Sequence, residues 1–121
     1  MASQSSPTAA PSATDVLRQR YADRLPASLD DLTGPTHGRV ELPLHIAWSG
    51  LRTYNLDQPR QRMSYYRTAL AEGQRDDLTA LLNKGMLVSL WPVLRTLVSR
   101  HIREVWEAAF PALASRTSAA A

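Results

Sequence analysis

One stretch, Met86–Phe110 (MLVSLWPVLRTLVSRHIREVWEAAF), constrains this chain more than any other, because it alone carries an apolar pattern long and regular enough to form a core. At 100° per residue, Trp91, Leu94, Val98, Ile102, Val105 and Ala109 fall on one line with spacings of 3, 4, 4, 3 and 4. That is the repeat of a helix, not of a strand. Thr96, Ser99, Arg100, Arg103, Glu104 and Glu107 collect on the opposite face, where Arg100–Glu104 and Arg103–Glu107 are i,i+4 pairs of opposite charge, and this face is expected to be wet. Ser89 reads as the N-cap, with Pro92 in the first turn where a missing N–H is tolerated. Pro111 disfavours an α conformation at Phe110, so the reading is one long C-terminal helix over about 89–109. Leu90, Leu97 and His101 on one border, with Trp106 and Phe110 on the other, widen the apolar arc to about half the circumference. Other elements, or a second chain, must cover so wide an arc.

The chain has 121 residues, enough for one domain at most. Residues 1–13 and 112–121 are rich in Ser, Ala, Pro and Thr without a periodic apolar set, and are expected to be disordered tails whose removal leaves a single helical domain, 14–111, intact. There are 14 basic and 11 acidic residues, a net charge of +3 spread without a run of one sign. A mixed balance of this kind is the composition of a solvated surface rather than of a clustered nucleic-acid face. No cysteine occurs, which excludes disulfides, thiol catalysis and Cys-type zinc sites. No apolar run reaches the length that spans a bilayer, and the N-terminus has no charged segment followed by an apolar one, so the cytoplasm is the expected location.

Read in order, Thr14 caps a first helix from Asp15 to about Leu25 bearing Leu17, Tyr21 and Leu25, and Ser28–Asp31 has the spacing of a short capped turn. Residues 40–48 satisfy two periods. Val40, Leu42, Leu44, Ile46 and Trp48 alternate as in a strand, but Pro43 is a poor ladder residue and no second strand is evident, so a helix from Pro43 to about Ser49 is preferred. The strand alternative carries a dimer with it, since a lone strand needs a partner. After a linker, Leu51–Leu56, Asp57 caps a helix from Gln58 to Glu72 with the stripe Met63, Tyr66 and Leu70, and a short helix carries Leu78, Leu81 and Leu82. The fold class expected is all-α, a bundle of four to six short helices around the long C-terminal one.

No motif compels a chemistry. His101 and Glu104 are spaced i,i+3 but make only two ligands on diverging faces, His37 and His45 have no carboxylate placed beside them by the sequence, and the glycines form no phosphate loop. No catalytic residue, metal site or cofactor is therefore expected. A helix-turn-helix over 76–95 fails on its second helix, whose first turn, Leu90-Trp-Pro-Val93, offers no donor to a base edge. On α-helical phasing Tyr65 projects from the polar face between Arg60, Arg62 and Arg67, and exposed tyrosine beside arginine is enriched at protein interfaces. Trp106, beside Phe110, is the expected anchor of a contact with a second copy. The reading is a non-catalytic helical interaction module, a regulatory, scaffold or accessory subunit of antitoxin-like size, with Tyr65, Trp106, Phe110, Arg60 and Arg67 as partner-binding residues. The runner-up is a nucleic-acid-binding regulator using scattered arginines, and the third reading is an enzyme whose site the sequence hides.

The phase of the Met86–Phe110 pattern is testable by substitution. Ile102→Ala is expected to cost roughly 2–5 kcal/mol and Arg100→Ala no more than about 0.5 kcal/mol in urea unfolding; equal costs contradict the phase.

Overall fold

Asn83, not Ser89, starts the helix that contains Pro92: its side chain accepts a hydrogen bond from the Met86 amide at 3.1 Å. Pro92 then lies in the helix interior, where its absent N–H and its ring weaken the ladder, and the helix ends two residues later at Leu94. Thr96 donates its hydroxyl to the Val93 carbonyl (2.6 Å), and Ser99 caps a new helix by accepting from the Ile102 amide (3.3 Å). The long helix expected over 89–109 is therefore two helices separated by Arg95–Ser99.

The computed structural model describes residues 12–47 and 51–114. Its elements in order are α1 (Ala13–Asp23), a 3-10 turn (Leu29–Asp31), β1 (Arg39–Glu41), β2 (Thr53–Asn55), α2 (Pro59–Glu72), α3 (Arg75–Leu81), α4 (Lys84–Leu94) and α5 (Arg100–Ala109). The protein is mostly helical with one small antiparallel sheet, in which Arg39 faces Asn55, Val40 faces Tyr54 and Glu41 faces Thr53. The preferred helix over 43–49 is thus replaced by a strand that stops before Pro43 and a single turn after it, with the Ile46 and Ala47 amides donating to the Pro43 carbonyl at 3.0 and 3.1 Å. Both periods were present in the sequence because each governs a few residues. The strand's partner is Thr53-Tyr54-Asn55, inside the presumed linker, so the sheet closes within one chain. Trp48 lies outside the described residues, as do 1–11 and 115–121.

α1 starts earlier than expected, on a capping box in which Ser12 accepts from the Asp15 amide (3.1 Å) and Asp15 from the Ser12 amide (3.4 Å). It buries no residue completely. Tyr21 and Leu25, just beyond the helix end, pack against the core, α1 lies along α5, and Arg75 fixes the helix exit by donating to the Asp23 and Leu25 carbonyls, each at 2.8 Å. α2 begins with Pro59 at a position where its lost N–H costs nothing, and packs against β2, α3 and α4. Gly34 brings the loop after the 3-10 turn against the end of α3: its amide donates to the Leu82 carbonyl (2.7 Å), and a Cβ there would collide with the Leu81 backbone.

Trp91, Leu94 and Ile102 are buried, as the central pattern requires, whereas Val98 and Val105 are half-buried and Ala109 is exposed. The shift follows from the break, which lets α5 rotate independently of α4. Leu113 is fully buried although it lies two residues beyond the expected domain boundary. Leu113→Ala is expected to cost roughly 2–5 kcal/mol in urea unfolding; a change within about 0.5 kcal/mol, the range of surface positions, contradicts its place in the core.

Candidate functional site

The break between α4 and α5 decides which side chains are left on the surface. Glu107, expected on the wet face, has a side chain only 19% exposed and serves as the junction of the two helices. Its Oε2 accepts from the buried Trp91 indole Nε1 at 2.8 Å and from Arg95 Nε at 2.6 Å, while Oε1 accepts from Arg95 Nη2 at 3.2 Å. The fork from Arg95 holds the Glu107 carboxyl below its ordinary range, helped by the Trp91 hydrogen bond and by the charge of Arg103 and opposed by partial burial. The same carboxylate raises Arg95. α5 is gripped on its other flank by α1, where Arg18 pairs with Glu104, which also faces Arg100 at 3.8 Å.

Arg95 and Glu107 lie on the opposite side of α4 from Leu90 and Val93, whose own side carries no charged residue. Met86, Leu90 and Val93 follow one another at spacings of 4 and 3 on one side of α4, and Leu97 comes four residues later in the turn after the helix. This line runs one residue behind the buried line Leu87, Trp91 and Leu94. Val93 is 55% exposed and Leu97 42%, while Met86 and Leu90 are partly buried against the core. Ser89 and Thr96 flank the line on its open side. The same spacing is present in the sequence, where Leu90 and Leu97 read only as borders of a wider arc because a single long helix was assumed.

The expected partner-binding residues are placed differently. Tyr65 is fully buried, not projecting from a polar face: its hydroxyl donates to the Leu81 carbonyl (3.0 Å) and its ring meets Tyr54 edge-on at 5.7 Å. The phase of α2 taken from Met63, Tyr66 and Leu70 was too narrow, because β2 covers this helix on one side and α3 and α4 on the other, so Tyr65, Tyr66, Ala69 and Leu70 are all interior. Burial pushes both phenols up, Tyr66 to about 12, so both stay protonated at neutral pH. Trp106 is 2% exposed and meets the half-buried Phe110 at a ring-centroid distance of 5.5 Å with the rings tilted by 48°, which places it in the core of its own chain and removes it as a surface anchor. Trp106→Glu is accordingly expected to unfold the protein rather than to separate two copies. Arg60 and Arg67 are exposed on α2, whereas Trp106 belongs to α5, with Phe110 at its C-cap, so the five residues form no single patch.

Other polar groups have mainly internal partners. His45 does meet a carboxylate, Asp77, at 2.8 Å, and Asp77 also accepts from the Gln74 amide at the start of α3 (2.9 Å). His37 lies 3.9 Å from Asp57, and His101 Nδ1 is buried without a hydrogen-bond partner among the described residues. No group of three or more His, Asp or Glu among the described residues is arranged to hold a metal ion. Arg24, Arg62 and Arg75 donate to backbone carbonyls, and Arg18, Arg52, Arg95 and Arg100 meet carboxylates within the chain. No helix among the described residues is long and apolar enough to cross a membrane.

Glu107→Ala is expected to cost about 1–3 kcal/mol, since it leaves the buried Trp91 N–H without an acceptor. Because the folded carboxyl titrates below its ordinary value of 4.5, the stabilisation is full above that pH and is lost as the pH falls through the lower folded value. Urea midpoints measured between about pH 6 and pH 3 should fall more steeply for the wild type than for Glu107→Gln; parallel curves contradict the junction. A scan against protein-family models and searches of curated proteins and of solved structures found no match to the chain.

Proposed function

We propose that the protein is a non-catalytic helical interaction module, a regulatory or accessory subunit that docks an apolar helix face through α4. The observation that carries the reading is the pair of exposed apolar side chains Val93, at the end of α4, and Leu97, in the turn that follows, 55% and 42% in solvent. Singly exposed apolar residues are ordinary on a protein surface. Val93 and Leu97, four residues apart with the exposed, uncharged Ser89 and Thr96 on the same side of the chain, support a contact surface instead. Seven arginines satisfied within the chain weigh against the nucleic-acid reading, which needs free basic side chains on one face.

The surface is tested by substituting it without touching the core. Affinity capture with the wild-type chain and with Val93→Glu/Leu97→Glu as paired baits should show proteins retained by the first and lost from the second, with unchanged circular dichroism and a melting temperature within a few degrees. Identical retained sets contradict the assignment of α4 as the docking face.

A further inference from the structure

We propose that the open, polar depression between the β-hairpin and α2 binds a single carboxylate, of a small organic acid or of a peptide end, through Arg39 and neighbouring side-chain amides. The depression has a volume of about 320 Å³, at the lower end of the range of small-ligand sites, and is lined by Arg39, Thr53, Tyr54, Asn55, Gln58 and Gln61. The register explains how these residues meet. Arg39 stands opposite Asn55 and shares a face of the sheet with it, while α2, packed on β2, brings Gln58 and Gln61 to the same place. The site is built from elements other than α4 and the turn after it, so it goes beyond the docking surface and stands or falls apart from it.

The hydrogen bonds already made give the sign of the ligand. Gln61 Oε1 accepts from the Asn55 amide at 2.7 Å, and Asn55 Oδ1 accepts from the Asp57 amide at 3.0 Å. Each of these side chains therefore has its oxygen engaged by the chain and keeps its NH2 group to donate. The Gln58 side chain makes no capping bond to α2. Arg18, Arg52, Arg95 and Arg100 meet carboxylates within the chain, whereas Arg39 meets none among the described residues. No Asp or Glu lines the depression: Glu41, next along the face of Arg39, meets Arg52 at 3.4 Å, and Asp57 stands 3.9 Å from His37. An exposed arginine is ordinary by itself. An arginine grouped with two amides whose remaining hydrogens all donate is complemented by an anion rich in acceptors. One cation balances one negative charge, and the guanidinium fork matches the two oxygens of a carboxylate, which favours that group over a dianionic phosphate.

The test is a titration of the isotopically labelled full chain at constant ionic strength, followed by the backbone and side-chain NH2 resonances in nuclear magnetic resonance. The probes are acetate, inorganic phosphate, a short peptide ending in a free carboxylate, and the same peptide as its C-terminal amide. Saturable shifts confined to the lining residues are expected with the two carboxylates, at dissociation constants on the order of 1–10 mM, since one exposed ion pair in water is weak. Acetate binding as tightly as the peptide assigns the site to small acids; tighter binding of the peptide assigns it to a chain end. Arg39→Gln should weaken binding by about tenfold or more, whereas Arg67→Gln, at an exposed position of α2 outside the depression, should leave it unchanged. Shifts that are scattered or do not saturate, equal losses in the two variants, binding of the amide as tight as that of the free carboxylate, or phosphate bound more tightly than acetate would each overturn the proposal.

Discussion

The contact on which the rest of the arrangement depends is the Glu107 carboxylate, which receives the Trp91 indole and the Arg95 fork across the break between α4 and α5. Trp91 is completely buried, and an indole N–H buried without an acceptor costs on the order of 1–3 kcal/mol. The exposed pairs Lys84–Asp30 and Arg52–Glu41 contribute at most about 1 kcal/mol each, and their loss leaves no group stranded. Glu107 differs because it satisfies the indole N–H of Trp91, a residue with no access to water. Pro92 weakens α4, Thr96 and Ser99 terminate and restart the chain, and Glu107 holds α5 against what precedes it.

Two consequences follow for the surface. The first is that Arg95 is turned toward the junction, on the opposite side of α4 from Val93, so that Val93 and Leu97 stand beside Ser89 and Thr96 with no charged residue next to them. The second is that α5 packs along α1 and is tied to α4 through Glu107, and Trp106 and Ile102 are covered by the chain itself. The wide apolar arc that seemed to demand a second chain is mostly used internally. What remains uncovered is narrower, Val93 at the end of α4 and Leu97 in the turn after it.

The parts of this fold legible in the sequence are those that depend on one helix and its nearest neighbours. Trp91, Leu94 and Ile102 were assigned to the core by spacing alone, and α2, expected from Gln58 to Glu72 with Asp57 as its cap, stands at Pro59–Glu72 with Gln58 at the cap position and Gly73 at its end. The break was hidden because Leu94, Val98 and Ile102 continue the helical period across it, so the apolar pattern carries no mark of the interruption. Its signals were polar: Asn83 as a cap, Pro92 far from that cap, and Ser99 able to start a new helix. The same reason explains Tyr65. Periodicity describes one face of one helix, whereas α2 is enclosed from two sides, and a three-residue strand such as Thr53–Asn55 is too short for an alternating pattern to identify.

The central claim is that Met86–Phe110 is two helices joined at Glu107, and a distance measures it directly. Spin labels on Ser89→Cys and Ala108→Cys, both at exposed positions of a chain without other cysteines, can be read by pulsed electron resonance in a sample diluted with unlabelled protein. A continuous helix separates these positions by about 28 Å at the α-helical rise. The broken arrangement, with Trp91 Nε1 2.8 Å from Glu107 Oε2, predicts a clearly shorter distance. A distribution centred near the continuous-helix value would contradict the break, the junction and the surface that both create.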